Sequence, residues 1–177
     1  MVKRRDLKSR HEEAVLQHFK AHLEGQGVSL AILDRPEPPE AIVEMGGERT
    51  WIEITDAFLD MKHAIGITSG ACDDVEHIPD DGRLVIAPDE TFSIALHSVI
   101  EAKYDKDSMR AIAAAEGPGI LLVGVFTPFT TAEEVARTEA ASIAELISSK
   151  PDKIFSKIYA YDSTGERQFH ILHRQEA

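Results

Sequence analysis

One cysteine, Cys72, in 177 residues leaves no partner for an internal disulfide and rules out a cysteine-rich zinc site. Positive charge is scarce as well. Nineteen Lys and Arg stand against 31 Asp and Glu, a formal charge of −12 whose field repels polyanions on average. That weighs against a broad, charge-driven nucleic-acid binder and leaves room for a local basic patch. Long apolar runs are missing too. The longest, residues 119–126, is far too short to span a bilayer, and the basic opening MVKRRDLKSR is not followed by an apolar segment. Neither membrane insertion nor export is expected, and a reducing cytoplasm suits the lone thiol.

What is present has a globular balance, 43% hydrophobic and 28% charged, and fits one domain over residues 1–177. Residues 1–8 read as a flexible arm; Lys3, Arg4, Arg5 and Lys8 would let it reach phosphates or stand solvated.

Ser9-x-x-Glu12 has the form of a capping box, and Glu12, Leu16, Phe19 and Leu23 follow helical spacing, which predicts an amphipathic helix over 9–25 stopped by Gly25 and Gly27. Residues 28–33 read as a short strand. Pro36, Pro38 and Pro39 then remove donors and hold their predecessors extended, so 34–39 is an irregular lead-in. Residues 40–45 and 48–55 flank Gly46-Gly47, a preferred hairpin pair. Residues 59–82 show no clear period and read as a loop, with another short strand at 83–87. Phe92, Leu96, Val99 and Lys103 predict a helix over 89–104, with Pro88 where a first turn tolerates it. The apolar run 120–126 fits a strand buried on both faces. Thr131-x-x-Glu134 opens a helix to about Ser149, and 154–161 and 168–173 read as closing strands. This order predicts an α/β fold, a mixed central sheet flanked by helices.

The hairpin brings acids together. If Gly46 and Gly47 are the two central turn residues, Met45 faces Glu48 and Glu40 faces Glu53. Alternation puts Trp51, Glu53 and Thr55 on one face and Ile52 and Ile54 on the other. Two ionised carboxylates about 4 Å apart repel by roughly 4 kcal/mol at an effective dielectric of about 20. A shared proton, a basic neighbour or a divalent cation would offset this, and hard oxygen ligands suit Mg2+ or Mn2+. A different turn length would instead leave Glu40 in solvent.

Arg35-Pro-Glu-Pro-Pro-Glu40-Ala-Ile-Val, a glycine turn and Trp51-Ile-Glu53-Ile-Thr55 together resemble the core of the PD-(D/E)XK, or restriction-endonuclease-like, superfamily. In that superfamily an acid opens one strand of a hairpin, an acidic-x-Lys motif lies on the next, and the preceding helix often adds a Glu. The resemblance implies a restriction-endonuclease-like fold and a metal-dependent nuclease. Glu40 and Glu53 would be the metal ligands and Glu12 or Glu13 the helical acid. Two departures stand out. Glu40 replaces an Asp, and Thr55 occupies the place of the lysine thought to position or activate the attacking water, bringing a hydroxyl without positive charge. Lys103, on the apolar stripe of its helix, would enter the site as a replacement; alternatively it sits at the helix C-terminus, favoured by the dipole, with its stem over apolar surface.

Other clusters have plainer explanations. His11, His18 and His22 share one side of the first helix without the glutamate of a zinc protease motif, and partial burial accounts for them. The acidic stretch 73–81 lacks EF-hand spacing. Ser69-Gly-Ala-Cys72 is no nucleophile elbow, and no phosphate-cradling or dinucleotide motif occurs. Three functions are thus carried forward: a nuclease-like domain acting on nucleic acid, a catalytically inactive descendant serving as a binding or assembly module, in which a homo-oligomer would bury the acidic face, and an unrelated α/β domain.

Overall fold

The glycine pair fixes the hairpin. Gly46 and Gly47 have φ of 60° and 86°, the left-handed region that a two-residue turn of this kind needs. The ladder between β2 (Ala41–Met45) and β3 (Glu48–Phe58) then runs from Met45 opposite Glu48 to Ala41 opposite Ile52, as the turn length predicts. In this computed structural model, which describes residues 4–59, 86–163 and 167–175, the hairpin forms part of a six-stranded mixed sheet. The strands lie side by side in sequence order: β1 (Leu30–Asp34), β2, β3, β4 (Gly119–Phe126), β5 (Phe155–Asp162) and β6 (Phe169–Arg174). The centre, β3-β4-β5, is parallel, and the outer pairings are antiparallel.

Helices cover both faces. Helix α1 (Arg4–Gly25) lays Val15, Leu16, Phe19 and Leu23 on one face, against Ile52, Ile54, Ile120 and Leu122. On the other face α2 (Pro88–Asp105), α3 (Asp107–Glu116) and α4 (Ala132–Ser148) pack Leu96, Ile100, Met109 and Ile143 against Trp51, Leu121 and Val123. β4 therefore sends alternate residues into two cores, which is why its sequence is apolar throughout. Trp51 and Ile52 fall on opposite faces, as alternation requires. Thr131 caps α4 and accepts from the Glu134 N–H at 3.2 Å. The fold class expected from the sequence, α/β with a mixed sheet between helices, is the one observed, and none of the described helices is long and apolar enough to cross a membrane.

Several local expectations are corrected. α1 begins at Arg4, so Ser9 lies inside the helix and caps nothing, and residues 4–8 belong to the helix. Nothing in 4–8 breaks a helix, and Lys8 pairs with Glu12 one turn on, at 2.9 Å. α3 was not anticipated: it follows directly on α2 after one extended residue, Lys106, and carries a short, alanine-rich apolar face. The strand expected at 83–87 lies largely outside the described residues, as do the acidic stretch 73–81 and Ser69 to Cys72.

Candidate functional site

The parallel strands run their carboxyl ends toward one end of the sheet, and there α1, the proline-rich lead-in, β3 and α2 enclose a cavity of about 490 Å³. Each wall supplies charge. α1 turns Lys8, His11 and Glu12 inward, residues three and four apart that share one helix face. The lead-in adds Glu37 and Glu40, β3 adds Glu53, Thr55 and Asp56, and α2 adds Lys103.

Three acids here are buried, Glu12, Glu40 and Glu53 at 4%, 6% and 2% exposure. Such burial is tolerable only with compensation. Lys103 Nζ provides it for Glu53, at 2.5 Å from Oε1. Lys8 Nζ lies 2.9 Å from Glu12 Oε1 and 3.6 Å from Glu40 Oε1. Compensation is incomplete: Glu40 Oε2 and Glu53 Oε2 are buried without a hydrogen-bond partner among the described residues. Burial, then the charge of Glu12, pushes the Glu40 carboxyl up to about 7, against a smaller opposing pull from Lys8. The Lys8 ammonium is held above its ordinary range, chiefly by its hydrogen bond to Glu12.

The raised Glu40 carboxyl predicts a pH dependence. Its proton is held more tightly in the folded chain than in the unfolded one, so its contribution is complete below about pH 4.5 and is lost as pH rises toward 7. At about 1.4 kcal/mol per pKa unit this is of order 3 kcal/mol. In chemical denaturation of the metal-free chain, wild type should lose stability relative to Glu40→Gln across that window and run parallel to it above; parallel curves throughout would sink the assignment.

A second cluster adjoins the first. Tyr161 on β5 donates to Asp56 Oδ1 at 2.6 Å, reaching across β4, and His11 Nε2 lies 3.1 Å from Asp56 Oδ2 and 3.2 Å from the Tyr161 hydroxyl. Burial, then the Asp56 charge, raises the Tyr161 hydroxyl well above its ordinary range, so it stays a donor. Gly124, paired with Asp56 on one side and Tyr161 on the other, leaves the gap this bridge crosses.

Glu12, Glu40, Glu53, Thr55 and Lys103 therefore all border one cavity. Glu13 does not. It is half-buried on α1 and paired with Arg35, because it lies one residue, about 100°, around the helix from Glu12. The three histidines do not converge either: His18 contacts Arg167, His22 contacts Gln26, and His11 alone faces the cavity. Sequence reasoning missed Asp56, Tyr161 and Glu37. No family model, curated protein or solved structure significantly matches the chain.

The donor set suits a hard divalent cation. One carboxylate oxygen from each of Glu12, Glu37 and Glu40 lies within 4.8 Å of the others, and Glu40 also has an oxygen without a hydrogen-bond partner among the described residues. Carboxylates without sulfur or imidazole favour Mg2+ or Mn2+ over softer ions.

Proposed function

We propose that the chain is a divalent-metal-dependent nuclease-like domain acting on the phosphodiesters of nucleic acid. One observation carries this reading: two buried glutamates, Glu40 just before β2 and Glu53 on β3, each with an oxygen unpartnered among the described residues, share a cavity with a lysine that touches one of them. Glu40 would hold Mg2+ or Mn2+ together with Glu53 and with Glu12 and Glu37, whose ligand oxygens lie near its own. A bound ion of this kind supplies Lewis-acid polarisation of a phosphoryl oxygen.

The remaining work falls to the chain's own groups. Lys103 brings to Glu53 the positive charge that Thr55 lacks, from α2 instead of β3, and would neutralise charge on a phosphate entering the cavity. The resemblance to the PD-(D/E)XK superfamily supports the same reading, since the helical acid, the hairpin acids and a lysine occupy one pocket. A cytoplasmic location and nucleic acid as the partner go with it.

A second reading, an inactive descendant serving as a binding or assembly module, is supported by the tie between Lys103 and Glu53, which uses the lysine's charge structurally. Titration of Mg2+ and Mn2+ by calorimetry, followed by nuclease assays under the same conditions, separates the two. The nuclease reading expects metal binding and cleavage in wild type, and loss of both in Glu40→Ala/Glu53→Ala with the circular dichroism spectrum retained. Binding that survives the double substitution would remove the site assignment; binding without cleavage would favour the module.

A further inference from the structure

The Lys8 ammonium stands where a cation would. It approaches Glu12 Oε1 to 2.9 Å and Glu40 Oε1 to 3.6 Å, at the edge of the group formed by Glu12, Glu37 and Glu40. This group is more than a surface acidic cluster, because Glu40, which lines the cavity, is 94% buried and its Oε2 has no hydrogen-bond partner among the described residues. Lys8 itself is loosely held. Its side chain is 65% exposed on the outer turns of α1, and its described ion pairs are those to Glu12 and Glu40. A long, solvated lysine of this kind swings into water at little cost.

We infer that Lys8 is a displaceable counter-ion of the cation site, neutralising Glu12 and Glu40 in the metal-free chain and giving way when a divalent cation enters among Glu12, Glu37 and Glu40. The inference rests on the metal-dependent reading above and adds to it how the site is held before the metal arrives. An ammonium and a divalent cation repel one another, so both do not sit on the same oxygens. Once released, the Lys8 ammonium lies at the mouth of the cavity, on the path an approaching phosphate would take.

Calorimetric titration of Mn2+ into the full chain at pH 8, where Glu40 is ionised, tests this with wild type, Lys8→Met, Lys8→Arg and Glu40→Gln. The expected result is about tenfold tighter binding in Lys8→Met, wild-type affinity in Lys8→Arg, which keeps the competing charge, and loss of most binding in Glu40→Gln. Thermal midpoints give a readout independent of affinity: Lys8→Met should melt below wild type without metal, and saturating Mn2+ should close the gap. Lys8→Met binding no tighter than wild type, with Glu40→Gln still impaired, would overturn the inference and leave the metal site standing. If neither wild type nor Lys8→Met binds Mn2+, the metal-dependent reading fails and this inference with it.

Discussion

Lys103→Met should lower the unfolding free energy by about 3–5 kcal/mol, the usual cost of stripping one partner from a buried ion pair. Glu53 is 2% exposed and the Lys103 side chain 17% exposed, so water screens their 2.5 Å contact poorly. The other Glu53 oxygen has no hydrogen-bond partner among the described residues, and Glu40 contributes repulsion rather than relief. With Lys103 gone, the Glu53 carboxylate stays buried without its ion-pair partner, which acts against the packed state. Replacing both residues, as in Lys103→Met/Glu53→Met, removes the stranded charge and should recover most of the loss. Urea denaturation of the two single variants and the double closes the cycle. A loss below about 1 kcal/mol in Lys103→Met, or additive losses in the double, would mean that the pair is screened as a surface bridge is.

Gly124→Ala should cost about 2–3 kcal/mol, because the methyl enters space that three groups already occupy. An added Cβ would stand 2.4 Å from Asp56 Oδ1, 2.7 Å from Phe126 Cε2 and 2.8 Å from the Tyr161 hydroxyl. None yields freely: Tyr161 is fully buried, and Asp56 is fixed by both Tyr161 and His11. The methyl would part Asp56 from Tyr161 and loosen the seat of His11. In a Tyr161→Phe background, where the hydroxyl and its bond are already absent, the same substitution should cost clearly less. Equal costs in both backgrounds, measured by denaturation, would show that the glycine is needed for some other contact.

How far the site could be read from the sequence depended on the range of each signal. The Glu40 and Glu53 neighbourhood was legible because Gly46-Gly47 sets the register locally and strand alternation does the rest. Lys103 had two readings, helix end or site, and choosing between them needs the position of α2 over β3, a tertiary fact. Asp56 and Tyr161 are 105 residues apart and meet only because β4 separates their strands with a glycine at the crossing point. Glu37 reaches the cluster from a backbone φ of 41°, which no propensity for Glu predicts. The helix start failed for the opposite reason. Ser9-x-x-Glu12 is a strong local pattern, yet the residues before it form helix equally well, and Glu12 pairs with Lys8 instead of capping.

Because the strands are laid down in sequence order, β3 is synthesised well before its parallel neighbour. Its outer edge stays unpaired until β4 emerges, some sixty residues later. At about 5–20 residues per second that is several seconds during which an eleven-residue strand offers its backbone to any other chain. Edges of this kind are protected by charges that point where a core should be. Glu53 and Asp56 lie on that strand, one toward each future face, so the acids that later furnish the cavity also put charge on the strand while it waits for β4.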